Sequence, residues 1–421
     1  MASIDLLSTT SRVEAPIVIA TIAGYSFGAY NRTNQAISDN TGNYIANATV
    51  VNYPNFIQSL RVKKINGTVN TYTLVLKYAI RSGDDPNLVE KILSNASVDR
   101  KITFTYGDCS IPSFMYKEEQ AIITDVKSSF DAAGSSIQYT ITAVSQMTKA
   151  AAGSFNFPKR NAKPSDVIKE LLYNSQYGLL EVFPGMSNKQ KVLANGLIAS
   201  DDKKVELQGQ MGVSILSYLK YLVSCMSSLT NDNSVIKSSQ YNLIVIDEVS
   251  EQWDGAYFKV VKIDGSLKNI NSLDTYEIDV GFIGQNIITN FTIDDDQTYS
   301  ILYDYSNQIS QSEYVYKIND DGQWETIYSP TVTNSKSLLK TTEAEKTWWT
   351  NVTQYPVNAT LTMKGLLKPA ILMTYVKLNV LFYGKKHISS GYYVVTEQTD
   401  SIDSNGFRTT LKLLRIKGDE D

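Results

Sequence analysis

Ile122-Ile-Thr-Asp-Val-Lys-Ser-Ser-Phe-Asp-Ala-Ala-Gly134 and Val394-Val-Thr-Glu-Gln-Thr-Asp-Ser-Ile-Asp-Ser-Asn-Gly406 align without a gap, at an offset of 272 residues. Two apolar residues, a Thr and an acid are followed in both by Ser, an apolar residue, Asp and, three residues on, Gly. Each copy runs on into an alternating strand, with Ile137, Tyr139, Ile141 and Ala143 after the first and Thr409, Leu411 and Leu413 after the second. A strand also precedes each, and Thr103-Phe-Thr-Tyr-Gly107 is aligned with Val380-Leu-Phe-Tyr-Gly384 across a connection that differs by five residues. Two unrelated hairpins that share turn residues are the alternative. The position of each copy near the end of a β-rich region favours duplication of a whole β domain. Residues near 100 to 146 and 375 to 417 are therefore expected to form the same strands in two β domains, with Gly134 and Gly406 in equivalent turns.

Outward from the first copy, Tyr72, Leu74, Leu76 and Tyr78 alternate with Thr71, Thr73, Val75 and Lys77, which predicts a strand with one buried face. Phe56 to Ile65 pairs with it through Asn66-Gly67, a strong hairpin signal. Pro86 after Asp84-Asp85 predicts a helix start for Asn87 to Asn95, and Lys101 to Tyr106 is a further strand. From about residue 150 the texture changes. Ala150 to Pro158 and Asn161 to Pro164 read as a linker, and helical spacing follows at Val167, Ile168, Leu171 and Leu172. Leu216, Leu219, Leu222, Val223 and Met226 form the apolar stripe of a second helix, suited to core packing. Asn242 to Asp247, Ala256 to Ile263 and Thr275 to Ile283 return to strands, and Asp321-Gly322 predicts a hairpin between Tyr314 to Ile318 and Trp324 to Tyr328.

The chain has 421 residues, 43% apolar and 19% charged, which suits a soluble globular protein of two to four domains at roughly 100 to 200 residues each. With 39 basic and 43 acidic residues the net charge is -4, so no basic field is available to drive binding to nucleic acid. Cys109 and Cys225 match no zinc or redox spacing and read as free thiols of a reducing compartment. The apolar run Ala15 to Gly24 is about half the length of a bilayer span and has no basic stretch before it. No signal peptide and no membrane-spanning segment are expected, and folding is placed in the cytoplasm.

Ser389 to Gly418 resembles the closing hairpin of tail and baseplate hub proteins of tailed bacteriophages. Asn286 to Tyr303 is similar to the opening strands of their second tube-like barrel, and Asn66-Gly67 to Tyr106-Gly107 to the hairpin, helix and strand of the first. The resemblance covers roughly 12 to 146 and 285 to 417, with 150 to 284 matched loosely. It implies a mainly β chain with two related tail-tube-like β barrels flanking a mixed α/β region: residues 1–149, the insert 150–284, and 285–421. It also implies a homotrimer, a pseudo-sixfold ring that joins the sixfold tail tube to a threefold spike, with tube proteins, central spike and other baseplate proteins as partners. DNA passes through such a ring without a binding site for it, and the expected location is the virion tail or baseplate, assembled in the host cytoplasm.

Two other readings are open. Gly24-Tyr-Ser26-Phe-Gly28 fits a nucleophile elbow, and His387, the single histidine, lies downstream, so a serine hydrolase using Ser26 and His387 is one. Against it, Ala29 to Gln35 is polar where an elbow needs a helix, and the chain lacks repeated strand and helix alternation. A β-rich glycan-binding adhesin is the other, and Trp348-Trp349 reads better as a buried pair or an interface than as a sugar platform. Asp294-Asp295-Asp296 and Asp400 to Gly406 are acidic, but an EF-hand loop on the latter would put Lys412 where the bidentate Glu belongs. No catalytic residue, no cofactor and no metal site is expected.

Overall fold

Tyr72, Leu74, Leu76 and Tyr78 are all buried, as their alternation requires, and the strand that carries them lies inside the first β region. The chain is seen in a computed structural model. The structure describes residues 16–23, 25–29, 49–51, 57–79, 94–108, 117–131, 136–173, 198, 202–226, 228–232, 235–247, 256–264, 274–280, 288–295, 315–318, 324–328, 357–365, 372–387 and 389–418. It is mainly β with a mixed α/β middle region. The first region comprises β1 (Pro16–Ile22), β2 (Tyr25–Ala29), β3 (Thr49–Val51), β4 (Ile57–Ile65), β5 (Thr71–Ala79), β6 (Lys101–Asp108), β7 (Lys117–Asp131) and β8 (Ser136–Ser145). Gly67, in the turn after β4, has φ +69°, a conformation glycine adopts without strain. The predicted helix start at Pro86 lies outside the described residues.

The middle region opens with β9 (Phe155–Phe157), β10 (Arg160–Ala162) and α1 (Pro164–Tyr173), then β11 (Val205–Leu207), β12 (Gln210–Val213) and α2 (Ile215–Met226). β9 pairs with β12 and β10 with β11, so two strand–strand–helix units clasp each other. The expected linker is therefore ordered structure. Its aromatic residues supply the reason: Phe157 is buried and stacks on Tyr218 of α2 at 3.7 Å. β13 (Ser228–Asp232), β14 (Val235–Ile246) and β15 (Tyr257–Asp264) form an antiparallel sheet that shares one core with both helices, and β14 packs on α2. β16 (Asp274–Val280) leaves this sheet.

The second region comprises β17 (Ile288–Asp295), β18 (Val315–Ile318), β19 (Trp324–Tyr328), β20 (Val357–Lys364), β21 (Tyr375–Phe382), β22 (Lys385–Lys386), β23 (Gly391–Asp403) and β24 (Gly406–Gly418). The expected β18–β19 hairpin forms, and it extends the middle sheet by pairing with β14. The remaining strands, with β16 parallel to β21, join the first region in one 15-stranded sheet. Among the described residues that sheet does not close on itself: β17 stands at one end of its main path and β3 at the other.

The repeat is visible as topology. β4-β5-β8-β7-β6 and β17-β20-β24-β23-β21 are two runs of antiparallel neighbours in which five strands of the chain appear in the same order. The two runs share two bulges at matching places, and the β23–β24 ladder has a further irregularity between Tyr392 and Tyr393. The β7–β8 ladder skips Thr124 and the β23–β24 ladder skips Thr396, residues 272 apart like the sequence repeat. Both extra threonines turn back on the partner strand: Thr124 Oγ1 donates to Thr142 O (3.3 Å) and Thr396 Oγ1 to Lys412 O (3.1 Å). The second pair lies at Gln58, between Ile57 opposite Leu76 and Ser59 opposite Val75, and at Thr289, between Ile288 opposite Met363 and Asn290 opposite Thr362. An extra residue bends its strand and fixes register, so matched bulges give the two modules matched curvature.

One alignment is corrected. Ile122 faces Lys101 and Val394 faces Tyr375, which makes Thr103 the counterpart of Lys377, not of Val380. The shared Tyr-Gly ending misleads, because Tyr383 and Gly384 form a tight turn with φ +51° and +76° whereas β6 continues through Gly107 to Asp108. Gly406 has φ +103° at the start of β24, and Gly134 lies outside the described residues.

Candidate functional site

Charged and apolar side chains converge where the two modules meet. The second half of β23 pairs antiparallel with β4, from Glu397 opposite Ile65 to Ile402 opposite Leu60. Lys63 and Lys412 reach the Glu397 carboxylate at 3.3 and 3.0 Å. Beyond this ladder the tip of the β23–β24 hairpin leaves its own module and enters the core of the other. Ile402 and Phe407, 7% and 6% exposed, are packed among the first module's buried side chains, and Phe407 meets the Tyr106 ring edge-on at 6.2 Å. Burying two such side chains contributes roughly 1.5 to 3 kcal/mol each. Gly365 makes room for this tip, since a Cβ there would sit 2.2 Å from the Phe407 ring.

A buried polar network lies behind the joint. Glu119 is in phase with the core residues Ala121 and Ile123, Asp247 with Leu243 and Val245, and Lys64 with Leu60 and Val62. Lys64 Nζ donates to Glu119, whose carboxylate also accepts from Tyr72 (2.9 Å) and Tyr106 (3.2 Å). Asp247, at the end of β14, accepts from Ser145 Oγ and Asn70 Nδ2 (2.9 Å). The Tyr72 hydroxyl stands 3.0 Å from Asp247 as well, with one proton for two carboxyl groups. Burial pushes Asp247 up to about 6 and pushes both tyrosine hydroxyls well above 10. Burial alone would lower the Lys64 ammonium, but the Glu119 carboxylate more than offsets this and leaves it raised. On the other side of the ladder Asp400 accepts from Thr409 Oγ1 (2.8 Å) and Gln398 Nε2 (2.9 Å).

The middle region is tied to the same point. Gly67 N donates to Leu243 O (2.9 Å), Asn66 Nδ2 to Asn242 Oδ1 (2.9 Å), and Asn66 N to Thr396 O (3.0 Å). One turn thus holds β14 and β23 together. The arrangement fixes three regions in mutual orientation, and the Glu119, Asp247 and Asp400 carboxyl groups are buried within it.

The sequence-predicted residues lie elsewhere. Ser26 is the second residue of β2, opposite Thr21 of β1, so a strand occupies the place where an elbow needs a helix. His387 Nδ1 is 2.6 Å from Ser389 Oγ, its ring lies 5.0 Å from that of Phe382, and its backbone N–H donates to Val380 O. β2 and β21 are not neighbours in the sheet, and His387 is hydrogen-bonded to Ser389 and Val380. Asp400 to Gly406 is a strand pair with a two-residue turn, in which Arg408 binds Asp403 at 2.8 Å. Asp294 and Asp295 end β17, while Asp296, Trp348, Trp349 and Cys109 lie outside the described residues. Cys225 is a partly buried free thiol whose pKa burial raises. The network of Lys64, Glu119 and Asp247 was missed, although its signal is present: a charged residue in phase with apolar ones on a strand.

Among solved structures, the chain is similar to a type VI secretion component of E. coli, c3393, itself described as similar to the T4 bacteriophage tail proteins gp27 and gp5 (7% identity, 88% of this chain and 77% of that one, TM-score 0.46). It is also similar to the 43 kDa tail protein of prophage MuSo2 from Shewanella oneidensis (9% identity, 95% and 97%, TM-score 0.47). A tail protein from Neisseria meningitidis MC58 is a third (9% identity, 96% and 97%, TM-score 0.48). No family model and no curated protein matches the sequence. No residue role is carried over from these likenesses. Among the described residues no helix is long and apolar enough to cross a membrane.

Proposed function

We propose that the chain is a structural hub of a bacteriophage tail or baseplate, three copies of which form a pseudo-sixfold ring between a sixfold tail tube and a threefold spike. The observation that carries this reading is the recurrence, in one chain, of the same five-strand order with two bulges at matching places. Two like modules per chain make six like positions in a ring only when three chains close it. Residues 1–149 and 285–421 supply the tube-like modules, 150–284 is the insert, and the β18–β19 hairpin is lent to the insert's sheet. Tube proteins, the spike and other baseplate proteins are the partners, and DNA passes through the ring. The role is non-enzymatic and needs no cofactor; the location is the virion tail, reached by assembly in the host cytoplasm.

A density map of tail particles from cells that express the chain tests this. Three copies of the 46.9 kDa chain around the axis are expected, with both modules lining the channel. Six copies, one copy, or a channel lined by only one of the two modules overturns the reading.

A further inference from the structure

The joint between the modules uses one edge of each and, among the described residues, leaves the complementary edges over. In the second module the half-strand 397–402 of β23 is covered by β4. Its counterpart in the first module, at the repeat offset, is the half-strand 125–130 of β7, which among the described residues has β8 on one side and no ladder partner on the other. The exposures differ accordingly. Ile402 is 7% exposed, whereas its counterpart Phe130 is 72% exposed, a large aromatic side chain at the tip of an edge strand.

The other half of the joint is also left over. β17 is the counterpart of β4 and ends the sheet path. The matched ladders pair Leu60 with Phe291, because Leu74 and Leu361 face them, and Val62 with Ile293, because Tyr72 and Ala359 face those. Leu60 and Val62 are 1% exposed beneath the β23 tip, while Phe291 and Ile293 are only partly buried.

We infer that β7 of one copy pairs antiparallel with β17 of the next, Phe130 opposite Phe291, repeating between chains the joint that β23 and β4 make within one. The register then sets Ser129 opposite Thr292 and Lys127 opposite Asp294. Long edge strands that carry exposed apolar residues invite pairing, and here each copy offers two edges that fit each other and not themselves. Association is therefore head-to-tail, and the partner is a second copy of this chain. The inference rests on the proposed ring for the number of copies, and names the strands and register that would close it.

Two chains, each with Cys109→Ala and Cys225→Ala, test the register, one carrying Ser129→Cys and the other Thr292→Cys. Mixed at about 100 μM, where a micromolar contact is nearly saturated, and oxidised, they are expected to give a disulfide-linked dimer that neither chain gives alone. Moving the first cysteine to Lys127→Cys should lower the yield about tenfold, because directly opposite strand residues lie within disulfide reach and pairs two residues out of register do not. Phe130→Asp should abolish association and leave the unfolding midpoint of the monomer unchanged. Equal yields from both cysteine positions, no mixed dimer, or undiminished association of Phe130→Asp overturns the inference. A threefold ring in tail particles whose chains touch through other strands overturns it and leaves the hub reading standing. The register-specific cross-link in a chain that is absent from tail particles supports it and removes that reading.

Discussion

Asp247 sits where three regions meet and is held by Ser145, Asn70 and Tyr72. Burial raises its pKa from 3.8 to about 6, so the folded chain binds this proton more tightly than the unfolded chain does. The contribution of this group to stability is therefore fully present below about pH 4 and is lost as pH rises through about 6. Lys64 acts in another window: its raised pKa gives a contribution that holds across neutral pH and is lost only above 10.5. Asp247→Asn removes the first of these slopes. Between pH 4.5 and 6.5 the parent should lose roughly 1 to 3 kcal/mol relative to the variant, a range set by a shift of about two pKa units. Urea unfolding of both proteins at the two pH values measures this, and parallel pH profiles would count against it.

Counterpart residues on matched strands need not have matched energies. Ile402→Ala should cost about 2 to 5 kcal/mol, because it opens a cavity in the first module's core. Phe130→Ala should stay within about 0.5 kcal/mol in the dilute monomer, because most of that side chain faces solvent. Denaturant unfolding of the two variants separates the cases, and equal losses would mean that the edges are used alike. The matched elements themselves were legible in the sequence. Tyr72, Leu74, Leu76 and Tyr78 announce their strand because one face is buried, and the repeated Thr and Asp stand where a bulge and a turn need them. The register of β21 is not legible in the shared Tyr-Gly, because Gly384 serves a turn and Gly107 lies within β6. Phe155 and Phe157 read as linker in the sequence because their strand has only three residues and pairs with a distant segment. The joint itself was not legible, since β4 and β23 come from opposite ends of the chain and nothing local in either specifies the other.

At the scale of the molecule, the joint should make the two β regions one cooperative unit. The sheet is continuous through β23 and β4, the first core contains Ile402 and Phe407 of the second region, and the Asn66-Gly67 turn bonds both β14 and β23. Separate cores linked by a flexible connection unfold independently, whereas a shared core and a shared ladder make partial unfolding expose apolar surface on both sides of the break. A single calorimetric transition is therefore expected, with similar hydrogen-exchange protection in β4 and in residues 397–402 of β23. Thr399→Pro is the sharpest perturbation. Thr399 stands between Lys63 of β4 and Thr410 of β24, and a proline inside a strand paired on both sides cannot donate to the ladder and is excluded from such central positions. The variant should unfold in two steps, the second region first, while the core around Tyr72, Leu74 and Ile141 keeps its protection. Two transitions already present in the parent would show that the regions are joined in space but not in energy.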